Sequence, residues 1–156
     1  MNDMLKKIGS QFPTTINALR HSWPFENDLS DVREAYIEFE GVIGTDTEFG
    51  TDNNRGDSVG IYILLKEHNL FRLIYNFNKT ILTIDSIKIS QILSMRNQSQ
   101  QHDCIHGFAN EKLEIIMCSG KEYILNKPDI NKGQYTSEFV CENTGRYDIV
   151  INSLMK

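Results

Sequence analysis

The chain has 156 residues, of which 40% are hydrophobic and 24% charged, and its formal net charge is −5. That length buries enough surface to fold without a metal or disulfide staple, and the balance excludes a wholly disordered chain, a collagen and a disulfide-knotted mini-protein. An acidic total also opposes nonspecific binding to nucleic acid or to an anionic membrane.

The first 24 residues are expected to be helical. Met4, Leu5, Ile8 and Phe12 recur at helical spacing. Pro13 ends that run and suits the first turn of a second helix, with Ile16 and Leu19 on one side. Trp23-Pro24 stops it, because a residue before proline is pushed out of the α region. After a connector, Ile37 and Phe39 alternate with Glu38 and Glu40, which predicts a strand from about residue 36.

Residues 44–57 form a loop dense in Gly, Asp, Asn and Thr. Asp46, Glu48, Asp52 and Asp57 could offer oxygen ligands to a hard cation such as Ca²⁺, and together with Arg55 they are the candidate binding residues of this loop. Counted from Asp46, Gly50 sits one place early for a calcium loop and position 12 is Asp57 rather than Glu, so no metal is assigned.

From Ser58 the pattern has period two. Val59, Ile61, Ile63 and Leu65 line one face of a strand, and Phe71, Leu73, Tyr75 and Phe77 line the next, with Arg72 and Asn76 opposite. Asn78-Lys79 is expected to turn the chain into a short strand at 81–84. Ile87, Ile89, Leu93 and Met95 share a further face, either on one bent strand or on two with a kink at Asp85-Ser86.

Residues 97–109 are polar and glutamine-rich and are expected to be a second long loop. Within it His102, Cys104 and His106 alternate, so an extended backbone would point all three to one side, as Zn²⁺ requires of its nitrogen and sulfur ligands. No second ligand pair follows at the usual spacing, so these three remain weak metal candidates. The Cys104–His106 pair also invites a thiolate nucleophile, yet no nucleophile elbow, phosphate loop or dinucleotide fingerprint accompanies it. No catalytic residue and no cofactor is assigned.

Leu113, Ile115 and Met117 predict a strand, Ser119-Gly120 a hairpin and residues 122–126 its return. Residues 135–141 are expected to be strand-like, and Asn143-Thr144-Gly145 to punctuate. Tyr147, Val150, Ile151 and Leu154 then predict a closing helix over 144–155.

The expected fold is therefore α+β, mainly β, in a single domain over 1–156. A helical segment (1–24) precedes a β-rich body (36–142), an antiparallel curled sheet or partly open barrel, and a C-terminal helix (144–155) follows. This order is similar to the pleckstrin-homology-like architecture over residues 36–155, a resemblance of topology alone. In such a module the loop between the first two strands would carry the basic residues for a phosphate-rich headgroup. Here it holds four acids and only Arg55, which argues against a membrane partner.

Lys66, Arg72, Lys79, Lys88 and Arg96 could form a basic stripe beside Tyr62 and Tyr75, but Tyr75 shares the apolar face, so nucleic acid is not the expected partner. Three cysteines, an odd number, favour reduced cytoplasmic thiols, and no signal-like apolar segment follows Lys6 and Lys7. Nineteen Ile and 14 Asn against 3 Ala point to an AT-rich genome, such as that of a low-GC bacterium or its phage.

The leading functional expectation is a non-enzymatic protein-binding module, such as an accessory immunity or anti-defence inhibitor. The alternatives are a metal-dependent binder or small enzyme using Asp46–Asp57 or His102–His106, and a small-ligand-binding barrel. The last needs an unfilled interior, whereas Phe71, Leu73, Tyr75, Phe77, Leu93 and Met95 form a bulky inward set.

Overall fold

A computed structural model of the chain describes residues 3–11, 13–22, 29–40, 59–76, 79–103, 107–128 and 137–156. The protein is α+β, with about half of the described residues in strands. Helices α1 (Asp3–Gln11) and α2 (Pro13–Arg20) precede strands β1 (Glu34–Glu40), β2 (Val59–Leu65), β3 (Asn69–Asn76) and β4 (Ile81–Lys88). A 3-10 turn at Ile89–Gln91 leads to β5 (Ile92–Asp103), β6 (Gly107–Met117), β7 (Glu122–Asn126) and helix α3 (Ser137–Leu154).

The strands divide into two antiparallel sheets, ordered β1-β2-β3-β4 and β5-β6-β7. Among the described residues no ladder joins them, so they do not make a closed barrel. Strand β2, inside the four-stranded sheet, is buried on both faces over residues 61–65, which is why it reads as a nearly continuous apolar run, whereas the outer strand β4 is mostly exposed or half-buried. One face of the sheet, with Ile37, Tyr62, Leu64, Phe71 and Leu73, packs against Met4, Leu5 and Ile8 of α1 and Ile16 and Leu19 of α2. The N-terminal helices thus spend their apolar side on their own body. The opposite face, with Tyr36, Ile61, Ile63 and Leu70, meets Leu113, Ile115 and Leu125 of the second sheet and Tyr147, Val150 and Ile151 of α3. Each such side chain, fully buried, contributes roughly 1.5–3 kcal/mol.

Helix α3 serves both cores. Phe139, near its start, joins the helix-facing core, whereas Tyr147 and the residues after it join the core between the sheets. Between them the helix crosses the edge of β1, and there Asn143 is fully buried. Its side-chain carbonyl accepts from Ile37 N–H at 2.8 Å, and its amide donates to Ile37 C=O at 2.8 Å. The Asn143 amide therefore supplies to β1 the pair of hydrogen bonds that a neighbouring strand would supply.

A row of charges reinforces this junction. Lys7 of α1 pairs with Glu142, Glu142 with Arg146 at 3.6 Å, and both oxygens of Glu34 on β1 accept from Arg146, at 3.1 and 3.2 Å. The Lys7 ammonium, hydrogen-bonded to Glu142, holds that carboxyl below its ordinary value, against the opposing effect of desolvation.

Three expectations change here. Of the stretch 135–141, residues 137–141 are helical, not strand-like, and the rest lies outside the described residues. Phe139, Asn143, Tyr147, Val150 and Ile151 are buried at helical spacing, and the bonds of Asn143 keep the helix running through Asn143-Thr144-Gly145. The bend after β4 falls at Ile89–Gln91 rather than at Asp85-Ser86. The polar stretch 97–109 is no long loop: β5 runs through it to Asp103 and β6 returns from Gly107. Several of its side chains face solvent on both sides of the ribbon, so no apolar alternation marks it.

Asn143→Ala is expected to lower unfolding stability by about 2–4 kcal/mol in chemical denaturation, since it strips two buried bonds from an edge strand. Asn143→Asp keeps the acceptor but sets a carboxylate against Ile37 C=O, which raises the folded-state pKa of the new acid. Its stability is then fully present below the unfolded value of about 3.9 and lost as pH rises through the folded one. The gap to wild type should narrow on acidification, and a pH-independent gap would refute the geometry. For Glu142 the sign is opposite. Its depressed pKa contributes stability above the unfolded carboxylate range, lost as pH falls through the folded value. Glu142→Gln should melt lower than wild type near neutrality, by less than about 1 kcal/mol for so exposed a pair, and converge with it in acid.

Candidate functional site

The candidate residues Asp46, Glu48, Asp52, Arg55 and Asp57 lie outside the described residues, as do Cys104 and His106, while His102 is described only as backbone near the end of β5. Among the described residues no three His, Cys, Asp or Glu side chains gather as a metal site would require. Cys118 and Cys141 are exposed thiols on separate elements.

The expected basic stripe is not continuous. Lys66 is engaged with Asp31 at 2.9 Å, and the Arg72 Nε is buried. Arg72 shares its face of β3 with Leu70 and Ile74, on the side that meets the second sheet. Tyr62 is fully buried and Tyr75 nearly so, so neither offers a stacking platform. The bulky inward set also divides. Phe71, Leu73 and Tyr75 lie in the helix-facing core and Met95 flanks the other, whereas Leu93 is 67% exposed and Phe77 lies outside the described residues. Leu93 is the extra residue of a bulge between Ile92 and Ser94, which turns it out of the alternation.

Three places remain where the fold leaves chemistry available. The first is an open cleft of about 640 Å³ at one end of the four-stranded sheet, lined by Asp31, Arg33, Lys66, Glu67, His68 and Phe71 among others. Two ion pairs cross it, Lys66–Asp31 at 2.9 Å and Arg33–Glu67 at 3.5 Å. The Lys66 ammonium also lies 5.7 Å from the Phe71 ring centroid. The charges of the cleft are matched within it, so it carries no surplus for a charged ligand.

The second is a polar group inside the core between the sheets. Tyr36 is fully buried and its ring meets that of Tyr147 edge-to-face, with centroids 5.3 Å apart. The Tyr147 hydroxyl donates to Leu125 C=O at 3.3 Å, but the Tyr36 hydroxyl has no protein partner among the described residues. Burial first, then the nearby charge of Glu38, pushes the Tyr36 phenol well above its ordinary value, so it is a neutral hydroxyl at any physiological pH. Glu38 is buried beside it, and the Asn126 amide donates to its Oε1 at 3.1 Å.

The third is the outer part of the second sheet. β7 pairs only with Lys112–Ile116 of β6, whereas the β5–β6 ladder continues to Asp103 opposite Gly107. Beyond β7 and the bond from Lys127 N–H to Glu111 C=O, the two strands have ladders only with each other among the described residues, over a ribbon about 13 Å long at roughly 3.3 Å per residue. Asn97 Nδ2 donates to Asn110 Oδ1 at 2.9 Å at its base, and Asn110 Nδ2 donates to Asp148 of α3 at 3.2 Å. Further out, Phe108 stands opposite Gln101 and is 70% exposed, more than any other large apolar side chain described. Sequence reasoning missed this surface because it treated 97–109 as loop.

No protein-family model matches the chain, and neither does any curated protein or solved structure compared with it. The geometry therefore carries the functional reading.

The two tyrosines give opposite expectations in thermal or denaturant unfolding. Tyr36→Phe removes a buried hydroxyl with no protein partner and should be neutral or stabilising by up to about 1 kcal/mol, whereas Tyr147→Phe should cost about 1 kcal/mol. A loss of stability in Tyr36→Phe as large as that in Tyr147→Phe would show that the Tyr36 hydroxyl is bonded.

Proposed function

We propose that the protein is a non-enzymatic protein-binding module that presents the β5–β6 ribbon to its partner. The observation that carries this reading is Phe108, 70% exposed on a ribbon that extends past its own sheet. A large aromatic on a positioned strand, opposite the neutral amide of Gln101, is the kind of anchor on which protein interfaces concentrate their energy. The strand edges of the ribbon add backbone donors and acceptors for an extended segment of another chain. Two further facts agree with it: the cleft is occupied by its own ion pairs, and the tyrosine pair is enclosed in the core.

The element order, four strands then three strands then a helix, supports extending the reading to a pleckstrin-homology-like architecture, whose edges and loops serve varied partners. With the AT-rich coding signature, the reading narrows to an accessory protein of a bacterium or phage, such as an immunity or anti-defence inhibitor, acting in the cytoplasm.

Phe108→Ser tests the proposal. Affinity capture from the native host, followed by titration of the recovered partner, should give a Kd raised about 10- to 100-fold, matching the roughly 1.5–3 kcal/mol that burial of a Phe supplies. The melting temperature should stay within about 2 °C of wild type, since the side chain is 70% exposed. Undiminished binding by Phe108→Ser would remove the ribbon from the interface.

A further inference from the structure

We propose that β5 pairs antiparallel with β5 of a second copy of this chain, joining two three-stranded sheets into one of six strands. This deepens the protein-binding reading and rests on it. Three of the four outer strands, β1, β7 and β5, differ in how their edges are treated. The outer edge of β1 is closed by α3 through the Asn143 amide. β7 is only 5 residues long and flanked by Lys121 and Lys127, and Lys121 reaches Asp85 on β4 at 3.4 Å. Short length and lysines are the usual protections of an exposed edge. β5 has neither. It is 12 residues long, its one ladder among the described residues is with β6, and it contains no lysine.

The bulges sharpen the point. Extra residues interrupt β5 at Leu93 and at His102, but from Ser94 to Gln101 the strand itself is continuous, because the shift between Gln98 and Ser99 is taken up by β6. In that window Ser94, Arg96, Gln98, Ser99, Gln100 and Gln101 are exposed.

Symmetry then selects the register. Two antiparallel strands related by a twofold axis in one sheet must share their faces, so the axis passes through a residue rather than between two. Centred on Gln98, the pairing sets Arg96 opposite Gln100, Asn97 opposite Ser99 and Met95 opposite Gln101 of the second copy. Amide and hydroxyl side chains both donate and accept, so this strand complements its own image. Arg96 is the only charge in the window, and it meets a neutral residue across the seam. The neighbouring row agrees: Glu114 stands beside Arg96 and Lys112 beside Gln98, so no like charges adjoin at the seam. An isologous contact of this kind uses both β5 edges and stops at the dimer.

Sedimentation equilibrium of the full chain, from about 1 to 200 µM, tests the proposal, since seven paired residues a side is a small interface of micromolar strength. Wild type should shift from monomer to dimer. Gln98→Lys, which places two cations at the axis, should raise the dimer Kd at least tenfold with an unchanged circular-dichroism melt, while Glu122→Lys on β7 should leave it unchanged. Wild type that stays monomeric throughout, or a dimer indifferent to Gln98→Lys, overturns the pairing. If the monomer still captures a different protein in a Phe108-dependent way, the self-pairing falls and the protein-binding reading stands. If neither occurs, both fall.

Discussion

The two hydrogen bonds between the buried Asn143 amide and the backbone of Ile37 set the architecture. An edge strand leaves a row of N–H and C=O groups that must find water or a partner. Here one carboxamide, fully buried, gives that edge a partner without a further strand. The cost of breaking the arrangement is high because the Asn143 polar atoms would be stranded out of water along with those of β1. This fixes both the height at which α3 crosses β1 and its rotation, since Asn143 must face the strand.

With that point fixed, the rest of α3 has no freedom in what it covers. Phe139, one turn earlier, falls on the helix-facing core, and Tyr147, one turn later, falls between the sheets against Tyr36. The charge row from Lys7 of α1 through Glu142 and Arg146 of the same helix to Glu34 of β1 ties the α1 side to β1. These surface pairs are weak one by one. Their value is in orientation: α1, α3 and β1 can share them only when Asn143 sits on Ile37.

The sequence is most readable where one physical demand dominates. Met4, Leu5 and Ile8, then Pro13, report helices because burial on one side and proline chemistry agree. The β2 and β3 strands are legible from Ile61, Ile63, Phe71 and Leu73, although alternation hides that Tyr62, Leu64 and Leu70 are buried as well. The reading fails where polar residues do structural work. Asn143 looks like punctuation and is the centre of a helix, because its partner, Ile37, lies 106 residues away. β5 looks like a loop because its outer half meets water on both faces and needs no apolar alternation. Leu93 looks like core and is exposed, since a bulge of one residue reverses the face a strand presents. Of the candidate site residues, the acidic loop and the Cys104–His106 pair lie outside the described residues. The surface that carries the function proposed here lay in the stretch with the least hydrophobic signal.

That last point follows from the physics of binding strands. A strand that waits for another chain must remain soluble beforehand, so it cannot advertise itself with apolar alternation. Gln98, Ser99, Gln100 and Gln101 meet both demands: water satisfies their side chains in the free protein, and amide pairing satisfies them across a seam. One large apolar side chain nearby, Phe108, then supplies contact area without making the whole ribbon sticky. The same reasoning explains why α3 closes β1 and not β5. The β1 edge sits between two hydrophobic cores, where an unpaired backbone has no access to solvent, whereas β5 lies at the outside of a three-stranded sheet, where water can hold the edge until a partner replaces it.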